Sequence, residues 1–309
     1  MNAIETHSLT KYYGKSRGIV DLDLAVEDGE IFGFIGPNGA GKSTTIRSLL
    51  GLIFPTSGTG RIFGLDIVRD TKEIKKHVGY MPAEAGYYHK MDVGEFLRYS
   101  AGFYDGNGES RMRELADALD LDLERKIADL SRGNQRKVAI VQSLIHKPRL
   151  LILDEPTVGL DPLVQARFFD ILREENVRGT TVFFSSHTLS EVQKMCRRVG
   201  IIRAGRIAAV EDIESLRKKQ LRRVKVEFSG RADSGAIAVK GMISPHSDKN
   251  VLSFMYSGSM DALITALAGR SIDDLIIEEP TLEEIFMHYY SDNPETDNAL
   301  RGGGSGKGR

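Results

Sequence analysis

The chain has 309 residues, enough for one large domain or one large and one small. Apolar residues make up 41%, enough for a sizeable core, and the formal net charge of -1 gives no pull toward nucleic acid or an anionic bilayer. The only cysteine, Cys196, excludes an internal disulfide framework and a multi-cysteine metal site.

The first residues, Met1-Asn2-Ala3-Ile4-Glu5, lack the basic-then-apolar pattern of a secretory signal. No apolar stretch approaches the roughly 18 residues a membrane span needs. The expected place is therefore cytoplasmic, and any membrane step requires another chain to cross the bilayer.

In chain order, Val20, Leu22, Leu24 and Val26 alternate with Asp21, Asp23, Ala25 and Glu27, the period of a half-buried strand. Ile31–Ile35 is an almost unbroken apolar run, as in a fully buried strand. Ile46, Leu49, Leu50 and Ile53 recur at helical spacing. Residues 82–148 read as mostly helical, broken by turns such as Asp105-Gly106-Asn107-Gly108. Residues 150–153 form an apolar strand. Val164, Phe168, Ile171 and Leu172 form a helical stripe, and 181–184 are another strand. Residues 199–202 and 206–210 flank Ala204-Gly205 as a hairpin. The alternation gives an α/β domain over residues 1–222 with a helical insertion at about 82–148.

After the basic stretch 217–223 the pattern changes. Val224, Val226 and Phe228 alternate with charges, and 251–256 is a second strand. A helix at 260–268, a strand at 275–277 and a helix at 282–290 complete a small α+β domain over 223–290. Residues 291–309 end in a Gly-rich run that cannot bury a core and is expected to be disordered.

Gly36-Pro37-Asn38-Gly39-Ala40-Gly41-Lys42-Ser43 matches G-x-x-x-x-G-K-S, the Walker A loop, between an apolar strand and a helix. Its glycines let several backbone N–H groups face one anion, and the helix beginning near Lys42 adds its positive end. The Lys42 ammonium suits the β- and γ-phosphates of ATP, and the Ser43 hydroxyl suits Mg²⁺. Thr44 and the N–H groups of Gly39 and Gly41 are further candidates. Residues 150–155 read as Walker B, a buried strand ending in two carboxylates. Asp154 is placed to hold Mg²⁺ and Glu155 to polarise the attacking water as general base. His187 follows the strand 181–184 through Ser185-Ser186. A histidine there suits a γ-phosphate contact and orientation of the water, although a lone histidine is more often structural.

The order of these motifs over residues 1 to about 215 resembles the nucleotide-binding domain of the ATP-binding cassette (ABC) ATPases. The most specific element is Leu130-Ser131-Arg132-Gly133-Asn134-Gln135, which looks like that family's signature with Arg132 and Asn134 as variants. Ser131 and Gly133 start a helix carrying Val138, Val141, Leu144 and Ile145, and a helix start offers N–H groups and a hydroxyl to a phosphate. Alone, the segment is only a helix cap. Tyr13, in Lys11-Tyr12-Tyr13-Gly14, resembles the aromatic that stacks on adenine. Gly159-Leu160-Asp161-Pro162 resembles the D-loop, with Asp161 its distinctive residue, and His187 matches the switch histidine. Two positions depart from the family. Gly79-Tyr80-Met81-Pro82-Ala83-Glu84 has Ala83 where relatives carry a metal-ligating Gln, and Val158 stands where many carry Ser.

The resemblance implies a P-loop NTPase fold, with a RecA-like core, an antiparallel β subdomain and the helical insertion. It also implies ATP and Mg²⁺ as cofactors. The cassette is expected to form a homodimer, or pair with a similar cassette, with two ATPs between signature and Walker A. A separate transmembrane permease would dock near 83–88, where Tyr87 and Tyr88 serve either docking or the core. Location is then peripheral at the inner face of the membrane, with no nucleic-acid partner. Glu279-Pro280-Thr281-Leu282-Glu283-Glu284-Ile285-Phe286 looks like the closing segment of exporter subunits that serve drugs, lipids, polysaccharides or ions. The competing readings are a non-transport ABC ATPase acting on DNA or ribosomes and a non-hydrolysing sensor. A single cassette without a long heptad run speaks against the first. Intact Lys42, Asp154, Glu155 and His187 speak against the second.

Overall fold

In a computed structural model, which describes residues 1–88, 90–104, 108–214, 222–230, 237, 239–278 and 280, the chain divides into two compact units, Met1–Ile213 and Glu214–Arg309.

The first unit holds two sheets. β1 (Asn2–Tyr13), β2 (Ser16–Glu27), β4 (Ser57–Ile62) and β5 (Leu65–Asp66) form an antiparallel sheet in the order β2-β1-β4-β5. The strand β1 has no clean alternation in sequence. Ser8 sits at a φ of 46°, and the register with β2 shifts between Thr6 and Leu9. Such a bulge adds a residue and reverses which side chains face inward, so a period-two reading passes over the strand.

The second sheet is the expected α/β core. It contains β3 (Ile31–Ile35), β6 (Val78–Met81), β7 (Leu150–Asp154), β8 (Thr181–Ser186), β9 (Arg198–Arg203) and β10 (Arg206–Asp212), in the order β10-β9-β3-β8-β7-β6. All neighbours run parallel except β10, which returns from β9 as the expected hairpin. Every residue of β3, β7 and β8 is buried, as continuous apolar runs require when both faces of a parallel sheet are covered. The parallel arrangement brings the C-terminal ends of β3, β6, β7 and β8 to one edge, where ligand sites of such sheets form.

α1 (Lys42–Leu49) follows β3 and stops one turn before Ile53. Gly51, at a φ of 62°, ends it in the left-handed conformation that glycine adopts without penalty. α2 (Thr71–His77) leads into β6. Between β6 and β7 lie α3 (Val93–Ala101), α4 (Glu109–Ala118), a 3₁₀ turn (Ile127–Asp129) and α5 (Arg132–Leu144). The helices begin at Val93, where Asp92 and Glu95 form a capping box, so residues 82–88 and 90–92 are loop rather than helix. α6 (Pro162–Val177) and α7 (Leu189–Met195) join the last strands. No helix among the described residues is long and apolar enough to cross a membrane.

The second unit is an antiparallel sheet with one described helix. β11 (Arg222–Phe228), β12 (Met242–Asp248), β13 (Val251–Tyr256) and β14 (Ile272–Glu278) take the order β12-β13-β11-β14. α8 (Met260–Leu267) contributes Leu263 to a core with Val224, Val226, Leu252, Phe254 and Tyr256. The sequence reading omits β12, which carries Pro245 and no apolar alternation. Proline is tolerated there because the strand lies at the sheet edge. The expected helix at 282–290, the tail 291–309 and most of the exporter-like segment 279–286 lie outside the described residues. So do residues 105–107 of the expected turn and 217–221 of the basic stretch.

Candidate active site

The loop 36–41 carries the chain from β3 into α1. A Cβ at Gly36 would lie 2.3 Å from the Ile202 carbonyl oxygen, so no larger residue fits. Gly41 caps α1 at a φ of 113°, a conformation that L side chains resist. The Ala40 N–H donates to the Pro37 carbonyl at 3.1 Å, closing the turn, and the Gly205 N–H donates to Ala40 at 2.8 Å, anchoring it. No side chain caps α1 and its first turn holds no acid, so its N-terminal amides remain available to an anion. Ser43 and Thr44 occupy that first turn. Tyr13 ends β1 beside it: a Cβ placed on Gly18 would meet both Thr44 Cγ2, at 2.9 Å, and Tyr13 Cε2, at 3.0 Å. Tyr13 is 46% exposed, and the Lys11 ammonium stands 5.5 Å from its ring centroid.

Lys42 is buried. Its Nζ donates to the Gly36 carbonyl at 2.7 Å and stands 3.1 Å from Glu155 Oε1. That oxygen is itself buried and makes no hydrogen bond, so the ammonium meets its charge as an ion pair without hydrogen-bond geometry. The other oxygen, Oε2, accepts from His187 Nδ1 at 2.6 Å. His187 is half exposed, so the array of ammonium, carboxylate and imidazole runs from the interior to the surface.

The neighbouring strand orients the Asp154 carboxylate and the Glu155 backbone. Ser185 Oγ donates to Asp154 Oδ1 at 2.9 Å, and the Glu155 N–H donates to the Ser185 carbonyl at 3.2 Å. Glu155 has a φ of 50°, the left-handed region that a residue with a side chain enters at a cost of about 1–2 kcal/mol. Strain of this kind persists where surrounding bonds over-determine the backbone, and it gathers at functional sites.

Ser131 is the N-cap of α5, its Oγ accepting from the Asn134 N–H at 3.3 Å. Gly133 faces the loop after β7: a Cβ there would lie 3.5 Å from the Gly159 carbonyl oxygen. Asp161 caps α6, its Oδ1 accepting from the Leu163 and Val164 N–H groups at 3.0 Å each. The structure therefore brings Lys42, Asp154, Glu155 and His187 to one sheet edge, whereas the bonds of Ser131 and Asp161 are local caps.

The ABC transporter family's sequence profile matches residues 19–158. The bacitracin transport ATP-binding protein of Bacillus licheniformis is 32% identical over 92% of this chain and 96% of its own length. This chain belongs to the ATP-binding subunits of ABC transporters. The daunorubicin resistance ATP-binding protein of Streptomyces coeruleorubidus is also 32% identical, over 94% of this chain and 96% of its own. A solved ATP-binding subunit of an ABC transporter superposes with a TM-score of 0.66 at 30% identity, covering 70% of this chain and 92% of that one. The cassette is accordingly an ATPase on a P-loop fold.

Two residues of this ABC cassette escape the sequence reading. Ser185 holds the Asp154 carboxylate and the Glu155 backbone N–H, and its signal is faint: a polar pair closing an apolar strand. Arg136, on the signature helix, donates to three backbone carbonyls, and nothing in the sequence marks its partners. The expected metal donors are one hydroxyl, Ser43, and one carboxylate, Asp154, whose Oδ1 accepts from Ser185 Oγ. Among the described residues no three acidic, histidine or cysteine side chains form a metal cluster. A sparse oxygen set fits Mg²⁺, which keeps several water and phosphate ligands instead of a protein cage. Ala83 adds no ligand.

Proposed function

We propose that this ATPase subunit powers export through a separate transmembrane permease, hydrolysing ATP at the edge formed by β3, β7 and β8. The observation that carries the site assignment is the Lys42–Glu155–His187 array beside the glycine loop. The α1 amides and Lys42 bind the phosphates, with Tyr13 against the adenine. Ser43 and Asp154 would hold Mg²⁺, which supplies charge neutralisation for the phosphates when bound. Glu155 takes the proton of the attacking water, and His187 orients that carboxylate and meets the γ-phosphate. Ser131 and Gly133 present a helix start to the ATP of a second cassette, with Asp161 holding the loop between the sites.

Export is supported by the bacitracin and daunorubicin relatives, which favour transport over action on DNA or ribosomes. It is supported as well by a surface cavity of ≈ 390 Å³ between α3, α5 and the loop after β6. Tyr88, Tyr99 and Phe103 line it in successive edge-on contacts of 5.8 and 5.1 Å, and all three are exposed. Tyr87 points otherwise: its hydroxyl donates to the Gln135 carbonyl at 2.5 Å, and burial pushes its pKa up to about 12. The permease then rests on Tyr88, with Tyr87 bracing the loop. The working location is the inner face of the membrane.

Glu155→Gln tests the hydrolytic assignment. It is expected to retain ATP binding while turnover falls by about 10²-fold or more, the ordinary contribution of a general base. Turnover at the wild-type rate would remove Glu155 from the role.

A further inference from the structure

Arg136 is buried in the first turns of α5, directly after the signature segment. Its three guanidinium nitrogens reach three backbone carbonyls in two loops, one after β6 and one after β7. Nη1 donates to the Pro82 carbonyl at 2.9 Å, Nη2 to Glu155 at 3.0 Å and Nε to Val158 at 3.1 Å. Pro82 leads from β6 toward the aromatic cavity. Glu155 is the residue held in the left-handed conformation. Val158 precedes the Gly159-Leu160-Asp161 turn.

We propose that Arg136 is a positioning residue for hydrolysis: its one planar guanidinium locks the Pro82, Glu155 and Val158 carbonyls together and so aims the Glu155 carboxylate. This rests on Glu155 being the base. Glu155 is strained, and two partners hold its backbone. The Ser185 carbonyl accepts its N–H, and Arg136 Nη2 donates to its carbonyl. Removing either frees the residue to relax, and a carboxylate shifted by about 1 Å can cost up to 10²-fold in rate. The clamp also joins the loop that precedes the cavity to the base. It thus occupies the place of the link that Ala83, one residue after Pro82, is unable to make through metal. Tyr87, bonded to Gln135, ties the same loop to α5 at a second point. Burial lowers the guanidinium pKa, while Tyr87, Asp154, Glu155 and Glu84 act to raise it, and a guanidinium remains charged regardless. A lysine at this position retains the charge but has no fork to span three directions.

The test uses the full chain with Arg136→Met, Arg136→Lys and Glu155→Gln. It reads steady-state kcat and KM, the stoichiometry of a fluorescent ATP analogue, and amide hydrogen exchange over 82–88 and 155–160. Arg136→Met is expected to lower kcat about 10-fold or more, with KM and binding stoichiometry within about twofold of wild type, as lost orientation without lost binding requires. Arg136→Lys should recover part of that rate, and both loops should exchange faster together. An unchanged kcat in Arg136→Met, with Glu155→Gln inactive, would overturn the positioning role and leave the base standing. Active Glu155→Gln would instead remove the base. Should Arg136→Met fold poorly, Arg136→Lys decides alone: loss of binding sites in proportion to kcat marks a merely structural arginine.

Discussion

His146 shows how one residue can report on its surroundings. It stacks on Tyr104 with ring centroids 3.7 Å apart, and its Nε2 contacts the Val78 carbonyl at 3.3 Å. Nδ1 is buried without a hydrogen bond. Burial holds its pKa down to about 4, against 6.5 for a free imidazole. The depressed value fixes the sign: between those two pH values the unfolded chain binds a proton that the folded chain refuses. Stability is therefore full above pH 6.5 and falls as pH drops toward 4, by up to about 3 kcal/mol from this group. His146→Phe retains the stack and removes the titration. Its denaturant midpoint should fall less steeply over that interval than the wild type's, and parallel curves would reject the assignment. The contrast with the Lys42–Glu155–His187 array is instructive. Lys42, Glu155 and His187 were marked by motif, whereas His146 carries no motif and gains its behaviour only from what packs on it.

At the level of elements, helix starts decide most of the site. α1 begins with a bare N-terminus, α5 with Ser131 and α6 with Asp161. Asp161 is singled out in the sequence by its likeness to the D-loop, and its carboxylate is bonded to the first amides of α6, which also has Pro162 at its first position. The same atoms therefore serve helix stability, and Asp161→Ala should cost about 1 kcal/mol of unfolding free energy, the ordinary worth of an N-cap. Chemical denaturation of the full chain measures it, and an unchanged midpoint would leave the cap without energetic weight. The strands divide by neighbourhood. β3, β7 and β8 are legible because both faces are buried and the code is simply apolar. β1 and β12 are not, because a bulge interrupts one and the other is an edge strand whose residues need not alternate.

Across the first unit, one buried ion pair connects the helical insertion to the α/β core. Arg111 of α4 meets Glu175 of α6, both almost fully enclosed, and Arg178 also pairs with Glu175. Arg111 also pairs with the exposed Glu114, so Glu175→Leu leaves the buried guanidinium only partly compensated and should destabilise the chain by about 1–3 kcal/mol. The double variant Arg111→Met with Glu175→Leu should regain much of that loss. A double variant as unstable as the single one would show that the packing, and not the unpaired charge, carries the cost.

The sequence by itself determined the cassette's chemistry and its order along the chain. A glycine loop before a helix, carboxylates after an apolar run and a serine before a helix are local patterns, and their physics acts within a few residues. It likewise leads one to expect a second, α+β unit after residue 222. Only the tertiary structure decided which of these groups touch. Strand order, with β8 seated between β3 and β7, brings the loops carrying Lys42, His187 and Glu155 side by side, and only there does Glu155 bond to both of the others. The acceptors of Arg136 lie 54, 19 and 22 residues away along the chain. They are backbone carbonyls, which every residue possesses and no side-chain identity marks, so the clamp exists only once the sheet has brought those loops to one edge.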